Sequence, residues 1–242
     1  MWTAVLGGVA VACGSTSDLE DSSPGSNTGG TSSAGAATST GGKSTPINTG
    51  GVGAGPSNDG YVVSGAWHGY AWTAAVTSAA PGASPSTIQP PNFTDSSTTE
   101  LCAYGTVGPA SDYGGVALLG VNVNQDQAGG TVGTAPIGGT GVTVRYTNLG
   151  GSPLRVQIQT PDGDTDPTGR WCAYLSGSGG TETLTWNQFW GGTPVTTDGC
   201  WNAAGNHPPP GTMIELVALL VPGGNYTPVP FNFCLQGIAQ VG

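Results

Sequence analysis

Residues 215–221 read Glu-Leu-Val-Ala-Leu-Leu-Val, and this stretch decides the fold. Every residue after Glu215 is apolar, and Pro222-Gly-Gly ends the run. A short apolar run that is bounded by turn residues predicts a central β-strand with both of its faces covered.

Residues 154–160, Leu-Arg-Val-Gln-Ile-Gln-Thr, show a second kind of strand. Apolar residues alternate here with Arg155, Gln157 and Gln159, which predicts one apolar face and one polar face in contact with water. Five further runs are predicted as strands, namely residues 69–76, 100–107, 115–124, 141–147 and 231–236.

The composition supports an all-β chain. The sequence holds 44 Gly and 19 Pro among 242 residues. Both residue types disfavour helix interiors, by roughly 1 and 3 kcal/mol relative to Ala. Short strands that are separated by Gly, Pro, Asn and Asp therefore predict an antiparallel β-sandwich.

The charge balance limits the partners. Only 7% of the residues are charged, as expected for an exported surface, and the formal net charge is −10. So acidic a chain repels phosphate backbones and anionic lipids. We therefore exclude nucleic-acid binding and expect membrane contact only through an N-terminal lipid anchor.

The first 57 residues are predicted to precede the folded domain. Residues 1–13 form an apolar run that is shorter than the ~20 residues of a membrane span, as in a signal peptide. The run ends at Ala10-Val-Ala-Cys, which resembles a bacterial lipobox and makes Cys13 a predicted lipidation site. A plain secretory signal is the alternative.

Residues 14–57, rich in Ser, Thr and Gly, predict a disordered linker. This linker is expected to tether a domain at 58–242 to the bacterial cell surface or outer membrane.

The remaining cysteines are Cys102, Cys172, Cys200 and Cys234. An oxidising compartment would pair this even set, and three connectivities are possible. First and last strands of an antiparallel sandwich are commonly neighbours, which favours Cys102–Cys234 and Cys172–Cys200. A metal site is the weaker alternative, because no Cys-x-x-Cys occurs and the two His are far apart in sequence.

The order of several motifs resembles a known kind of domain. The motifs are Gly-Tyr-Ala-Trp (69–72), Leu-Cys-Ala-Tyr-Gly-Thr-Val (101–107), the run at 112–125, Pro-Leu-Arg-Val-Gln-Ile-Gln (153–159), Arg-Trp-Cys (170–172), Trp-Asn-Gln-Phe (186–189), Cys-Trp (200–201) and Phe-Asn-Phe-Cys (231–234). They are similar to secreted jelly-roll domains of predatory soil bacteria, which resemble galactose-binding-like carbohydrate-binding modules. The resemblance implies a jelly-roll sandwich and a carbohydrate ligand.

A carbohydrate site needs flat aromatic rings against sugar faces and planar polar groups beside the hydroxyls. The polar side of residues 154–160 is expected to lie beside that of residues 115–124, with tryptophans nearby. The predicted binding residues are Arg155, Gln157, Gln159, Asn122, Asn124, Trp67 and Trp72. For each tryptophan the alternative is a place in the core, and for the polar stripe it is plain solvation.

Residues 161–167, Pro-Asp-Gly-Asp-Thr-Asp-Pro, place three carboxylates at alternate positions of a turn. Alternate Asp residues converge oxygen ligands on a hard cation in many calcium loops. Asp162, Asp164 and Asp166 are therefore a candidate structural calcium site, and a metal-free turn is the alternative. No other cofactor is expected.

The sequence shows no recognisable catalytic motif. Our first hypothesis is a non-catalytic extracellular domain that binds a polysaccharide or another glycan. The second is a structural or adhesive surface protein, and the third is an enzyme that acts on a polysaccharide.

The predicted disulfides have a measurable consequence for stability. Strong reductant is expected to lower the melting temperature substantially, because each disulfide typically contributes about 2–4 kcal/mol. Thermal unfolding with and without reductant measures this, and an unchanged melting temperature would contradict the pairing.

Overall fold

The computed structural model describes residues 60–93 and 100–242. The predicted signal peptide, Cys13 and the predicted linker lie outside these ranges. No helix in the described ranges is long and apolar enough to cross a membrane.

The strands, in chain order, are β1 (Tyr61–Ser64), β2 (Trp67–Val76), β3 (Thr87–Gln89), β4 (Leu101–Val107), β5 (Val116–Asn122), β6 (Ala135–Pro136), β7 (Gly141–Asn148), β8 (Arg155–Gln159), β9 (Arg170–Tyr174), β10 (Gly179–Thr185), β11 (Trp190–Gly191), β12 (Met213–Ile214), β13 (Leu216–Pro222) and β14 (Val229–Val241). Two single-turn 3-10 helices span Pro167–Gly169 and Trp186–Gln188.

These strands form two large antiparallel sheets. The seven-stranded sheet has the order β1-β2-β5-β13-β8-β9-β11, and the five-stranded sheet has the order β10-β7-β14-β4-β3. Strands β6 and β12 make a separate small ladder. The apolar sides of the two large sheets enclose one cluster of buried side chains, which we call the main core.

The chain passes between the two sheets in the pattern of a jelly roll. Eight strands carry the pattern, and they lie in the orders β4-β14-β7-β10 and β5-β13-β8-β9. The first and last of these eight, β4 and β14, are therefore neighbours. This arrangement confirms the predicted all-β, antiparallel jelly-roll sandwich.

Strand β13 is buried along its whole length, as its sequence predicts. Val217, Leu219 and Val221 belong to the main core. The alternate residues belong to a second apolar cluster, whose buried members are Leu118, Cys172, Cys200, Leu216, Ala218 and Leu220. Burial of each Leu or Val side chain contributes roughly 1.5–3 kcal/mol, so the seven-stranded sheet needs a cover on both of its faces.

Both favoured disulfides are present. Cys102–Cys234 joins directly opposed residues of β4 and β14, with a sequence separation of 132. Cys172–Cys200 joins β9 to the segment after β11, with a separation of 28. The first disulfide ties two strands of the five-stranded sheet, and the second holds the segment around Cys200 against the second apolar cluster.

A buried hydroxyl joins β7 to β10. The Tyr146 side chain is 0% exposed, and its hydroxyl donates a hydrogen bond to Oε1 of Glu182. The same carboxylate accepts hydrogen bonds from the backbone N–H and the hydroxyl of Ser176. Burial, and then the hydrogen bond and negative charge of Glu182, raise the pKa of Tyr146 above its ordinary value of 10.0.

This raised pKa predicts how stability depends on alkaline pH. Because the folded state holds the phenolic proton more tightly than the unfolded state, the stabilisation is complete below about pH 10 and is lost as the pH rises further. The free energy of unfolding should fall as the pH rises from about 10 to about 11, and less steeply in Tyr146→Phe. Urea denaturation across this range measures both slopes. Tyr226→Phe, at a side chain that is 87% exposed, is the control, and equal slopes for Tyr146→Phe and wild type would contradict the account.

Candidate functional site

The register of the seven-stranded sheet brings most of the predicted binding residues to one surface. We call it the β13 face, and it consists of the side chains of this sheet that point away from the main core. Its predicted members are Trp72 on β2, Asn122 on β5, and Arg155, Gln157 and Gln159 on β8. Strand β13 lies between β5 and β8.

Gln157 and Gln159 are buried on this face, so the prediction of a water-exposed stripe is wrong at these two positions. Their side chains are 4% and 2% exposed. Gln157 Nε2 donates to Gln159 Oε1 at 2.9 Å, and Gln159 Nε2 donates to Asp164 Oδ1 at 2.8 Å. The physical reason is the neighbouring strand: β13 is apolar on this side too, and burying it draws the adjacent amides out of water. The hydrogen bonds then offset the desolvation of the amides.

Trp67 and Asn124 lie apart from this group. Trp67 is 2% exposed in the main core, so it is not available to a ligand. Trp67 and Trp72 are an odd number of positions apart on β2, and the period of two therefore turns them to opposite faces. Asn124 lies beyond the end of β5, where its Nδ2 donates to the backbone carbonyl of Thr134 at 2.8 Å.

The indole of Trp72 lies flat across Gly120, its cross-strand partner on β5. A Cβ at position 120 would be 2.4 Å from Cζ2 of Trp72, so only glycine leaves room for the ring. Trp72 Nε1 donates to Asn122 Oδ1 at 3.0 Å, and Asn122 Nδ2 donates to Gln125 Oε1 at 2.8 Å. These contacts fix the orientation of a half-buried indole ring on the β13 face.

Arg155 is stacked on an aromatic ring. Its guanidinium carbon lies 3.6 Å from the ring centroid of Tyr174, the cross-strand partner on β9. Nη1 of Arg155 also donates to the carbonyl of Leu154 at 2.9 Å. Burial lowers the pKa of Arg155, and the interaction with Tyr174 opposes that shift. A guanidinium keeps its proton in proteins, so Arg155 is a cation.

Tyr174 of β9 also belongs to the β13 face, although it was not among the predicted binding residues, and Trp201, in the segment after β11, lies against this face. The Tyr174 hydroxyl donates to the carbonyl of Trp201 at 3.0 Å, and Trp201 packs against the second apolar cluster together with Trp72. The alternation of Arg170, Cys172 and Tyr174 indicates in the sequence that the three share one face of a strand, and the register of β8 with β9 places Tyr174 beside Arg155.

The apolar residues of β13 beneath these side chains are buried. Ala218 is 1% exposed and Leu220 is 2% exposed. Several half-buried side chains lie above these residues and reach the solvent, among them Trp72, Ala74, Val116, Asn122, Arg155, Tyr174 and Trp201. The β13 face is thus mainly an aromatic surface around the cation Arg155, and not the amide stripe that the sequence predicts. The second cation on this side, Arg170 of β9, donates to carbonyls of the acidic loop.

Each carboxylate of the acidic loop at 161–167 has its own protein partner. The Thr160 hydroxyl donates to Asp162, the side chain of Gln159 donates to Asp164, and the backbone N–H of Thr168 donates to Asp166. Arg170 donates to the carbonyls of Gly163 and Asp164 and so closes the loop. The calcium site at these three aspartates stays a prediction.

One group of three potential metal-ligand atoms occurs in the described ranges. It consists of Glu100, Cys102 and Cys234, whose ligand atoms lie within 4.8 Å of one another. Both sulfurs belong to the Cys102–Cys234 disulfide. They are therefore not thiolates, and the group is not a candidate metal centre.

The contact between Trp72 and Gly120 predicts the effect of one methyl group. Gly120→Ala should push the indole off the sheet and break its hydrogen bond to Asn122, because the new Cβ would collide with the ring. The NMR resonance of the Trp72 indole N–H, assigned with Trp72→Phe, measures this displacement. Gly177→Ala is the matched control, since the nearest atom to its new Cβ is 3.9 Å away. An indole resonance at the wild-type position in Gly120→Ala would contradict the packing.

Comparisons with known proteins give a distant likeness to a solved structure. No family model matches the chain, and no curated protein matches it. Among solved structures, the chain is similar to the family 11 carbohydrate-binding module of the cellulosomal cellulase Lic26A-Cel5E of Clostridium thermocellum. The identity is 11%, the TM-score is 0.34, and the match covers 69% of this chain and 85% of that module. A likeness at this TM-score supports no conclusion about the ligand.

Proposed function

We propose that this chain is a non-catalytic carbohydrate-binding domain that holds a neutral polysaccharide on the β13 face. The observation that carries the proposal is the joint presence, on one sheet surface, of a fixed indole and a stacked guanidinium. The indole is that of Trp72, and the guanidinium of Arg155 lies 3.6 Å from the Tyr174 ring centroid.

The chemistry of a sugar ring matches this surface. One side of a pyranose ring presents C–H groups that pack against a flat aromatic ring, and its edge presents hydroxyls. On the β13 face, Trp72 and Trp201 supply half-buried aromatic surface. Arg155 supplies N–H donors for hydroxyl oxygens, and its stacking on Tyr174 limits the entropy that is lost on binding.

The charge of the chain favours an uncharged ligand. The net charge is −10, so an acidic polysaccharide would be repelled at long range. The β13 face has two cations, Arg155 and Arg170, and the charge of Arg170 is opposed by the carboxylates of Asp164 and Asp166. Arg155 alone is too little to reverse that repulsion. Neutral polymers such as cellulose, chitin or xylan backbones are therefore the class we propose.

We also propose that the domain works outside a bacterial cell, tethered by a lipid at Cys13 and by residues 14–57. Two observations support this placement. The described residues hold two disulfides, which persist in oxidising compartments. The first 13 residues have the length and composition of a signal segment.

Retention on insoluble polysaccharides tests the proposal. Wild-type protein is expected to be retained on at least one of microcrystalline cellulose, chitin and insoluble xylan. Trp72→Ala and Arg155→Ala should each weaken binding by about two- to tenfold, because a lost stacking ring or hydrogen-bond donor costs about 0.5–1.5 kcal/mol. Depletion isotherms measure the affinities, and Tyr226→Ala, at an exposed loop tyrosine, is the matched control.

The other outcomes separate the competing functions. No retention of the wild type, together with concentration-dependent assembly, would favour the structural or adhesive hypothesis. Release of reducing sugar from any of these polymers would favour an enzyme. Retention that neither variant weakens would contradict the β13 face as the binding surface.

A further inference from the structure

The outer side of the five-stranded sheet carries a second surface that the proposed function does not use. We call it the β14 face, and it consists of the side chains of this sheet that point away from the main core. Tyr104 on β4 is its most prominent member, with 56% of the residue exposed. Leu101 and Ala103 of the same strand are 0% exposed, whereas the ring of Tyr104 points to solvent. A large exposed aromatic ring on a sheet surface indicates a binding site.

Two amides flank this ring in register. Tyr104 is directly opposite Gln89 of β3 on one side and Asn232 of β14 on the other. Both amides are exposed. Directly opposed Cβ atoms in antiparallel strands lie about 4.5–5.5 Å apart, so a sugar stacked on Tyr104 brings its hydroxyls within reach of two planar amides.

The Cys102–Cys234 disulfide makes this arrangement rigid. Cys102 is two residues from Tyr104 on β4, and Cys234 is two residues from Asn232 on β14, so all four side chains share the β14 face. A covalent link between directly opposed residues fixes the register of the two strands that carry the ring and one amide. A site held in this way loses little conformational entropy when a ligand binds.

The charges on the β14 face balance. Arg145, an exposed cation, donates from Nη2 to the carbonyl of Gln236 at 3.0 Å. Gln236 Nε2 donates in turn to Glu100 Oε2 at 2.9 Å. One cation and one carboxylate are thus linked through Gln236, which suits an uncharged ligand.

Hydroxyl groups occupy much of the rest of this surface. The outward positions of β7 and β10 include Thr143, Thr147, Thr181 and Thr183. The hydroxyls of Thr143 and Thr183 lie 2.9 Å apart. Such a surface hydrogen-bonds a polyhydroxylated chain in both directions, as donor and as acceptor.

We infer that the β14 face is a second docking surface for a neutral polysaccharide, with Tyr104 as the stacking ring and Gln89 and Asn232 as hydroxyl partners. The inference rests on the proposed function of the β13 face. Because the two faces lie on opposite sides of the sandwich, one domain would hold two chains at once and cross-link them. This bivalence raises the avidity for a densely packed polymer without any new contact.

A bridging assay tests the inference with the full chain. Protein is first bound to the insoluble polysaccharide that retains the wild type, and fluorescently labelled soluble fragments of the same polymer are then added. Wild-type protein is expected to capture fragments above the level of protein-free particles. Tyr104→Ala should be retained on the particles through the β13 face, yet capture about tenfold less fragment. Tyr226→Ala is the matched control and should capture as the wild type does.

The outcomes separate failure of this inference from failure of the proposed function. If Tyr104→Ala captures as much fragment as the wild type, or if retained wild type captures none, the second face is overturned and the first stands. If no insoluble polysaccharide retains the wild type, both are overturned. Equal melting temperatures of Tyr104→Ala and wild type show that a loss of capture is not unfolding, as expected for an exposed side chain. If Tyr104→Ala melts lower, Tyr104→Phe replaces it, and restored capture in that variant supports a stacking role for the ring.

Discussion

The burial of β13 on both sides is the constraint on which the rest of the structure depends. A strand whose seven residues are all buried cannot lie at the surface of a sandwich without a cover. One cover is the opposite sheet, through the main core. The other is the second apolar cluster, which the Cys172–Cys200 disulfide closes and on which Trp72 and Trp201 pack. The aromatic side chains that are proposed to bind sugar thus also cover the second apolar cluster.

The main strands could be predicted from the sequence, because local patterns determine them. The disulfide pairs could be favoured only through the expected fold, in which the first and last strands are neighbours. The apolar run at 215–221 and the alternation at 141–147 and 154–160 each correspond to a strand. The sequence did not reveal β10, because it lies at the sheet edge and Leu184 is its one buried residue, so it shows little alternation. Strands of two or three residues, such as β3 and β11, are too short for any period to show.

The candidate site could be predicted only in part. Alternation correctly placed Arg155, Gln157 and Gln159 on one face, but it does not tell whether a face is covered. The cover depends on which strand lies beside β8, and that neighbour is β13. The same alternating pattern at 141–147 produces an open face with Arg145 exposed, because the residues directly opposite Arg145 are Thr181 of β10 and Gly237 of β14 instead of Leu. The neighbour in the sheet, and not the strand itself, decides which polar stripe stays in water.

The most direct test of the central claim is an NMR titration of the protein with a soluble neutral oligosaccharide, following the indole N–H resonances. The account predicts that the resonances of Trp72 and Trp201 on the β13 face move in a saturable way. Those of Trp67 and Trp171, which are 2% and 6% exposed in the main core, should stay in place. Saturable binding that leaves the Trp72 and Trp201 resonances unmoved would contradict the claim that sugar binds to the tryptophans that cover the second apolar cluster.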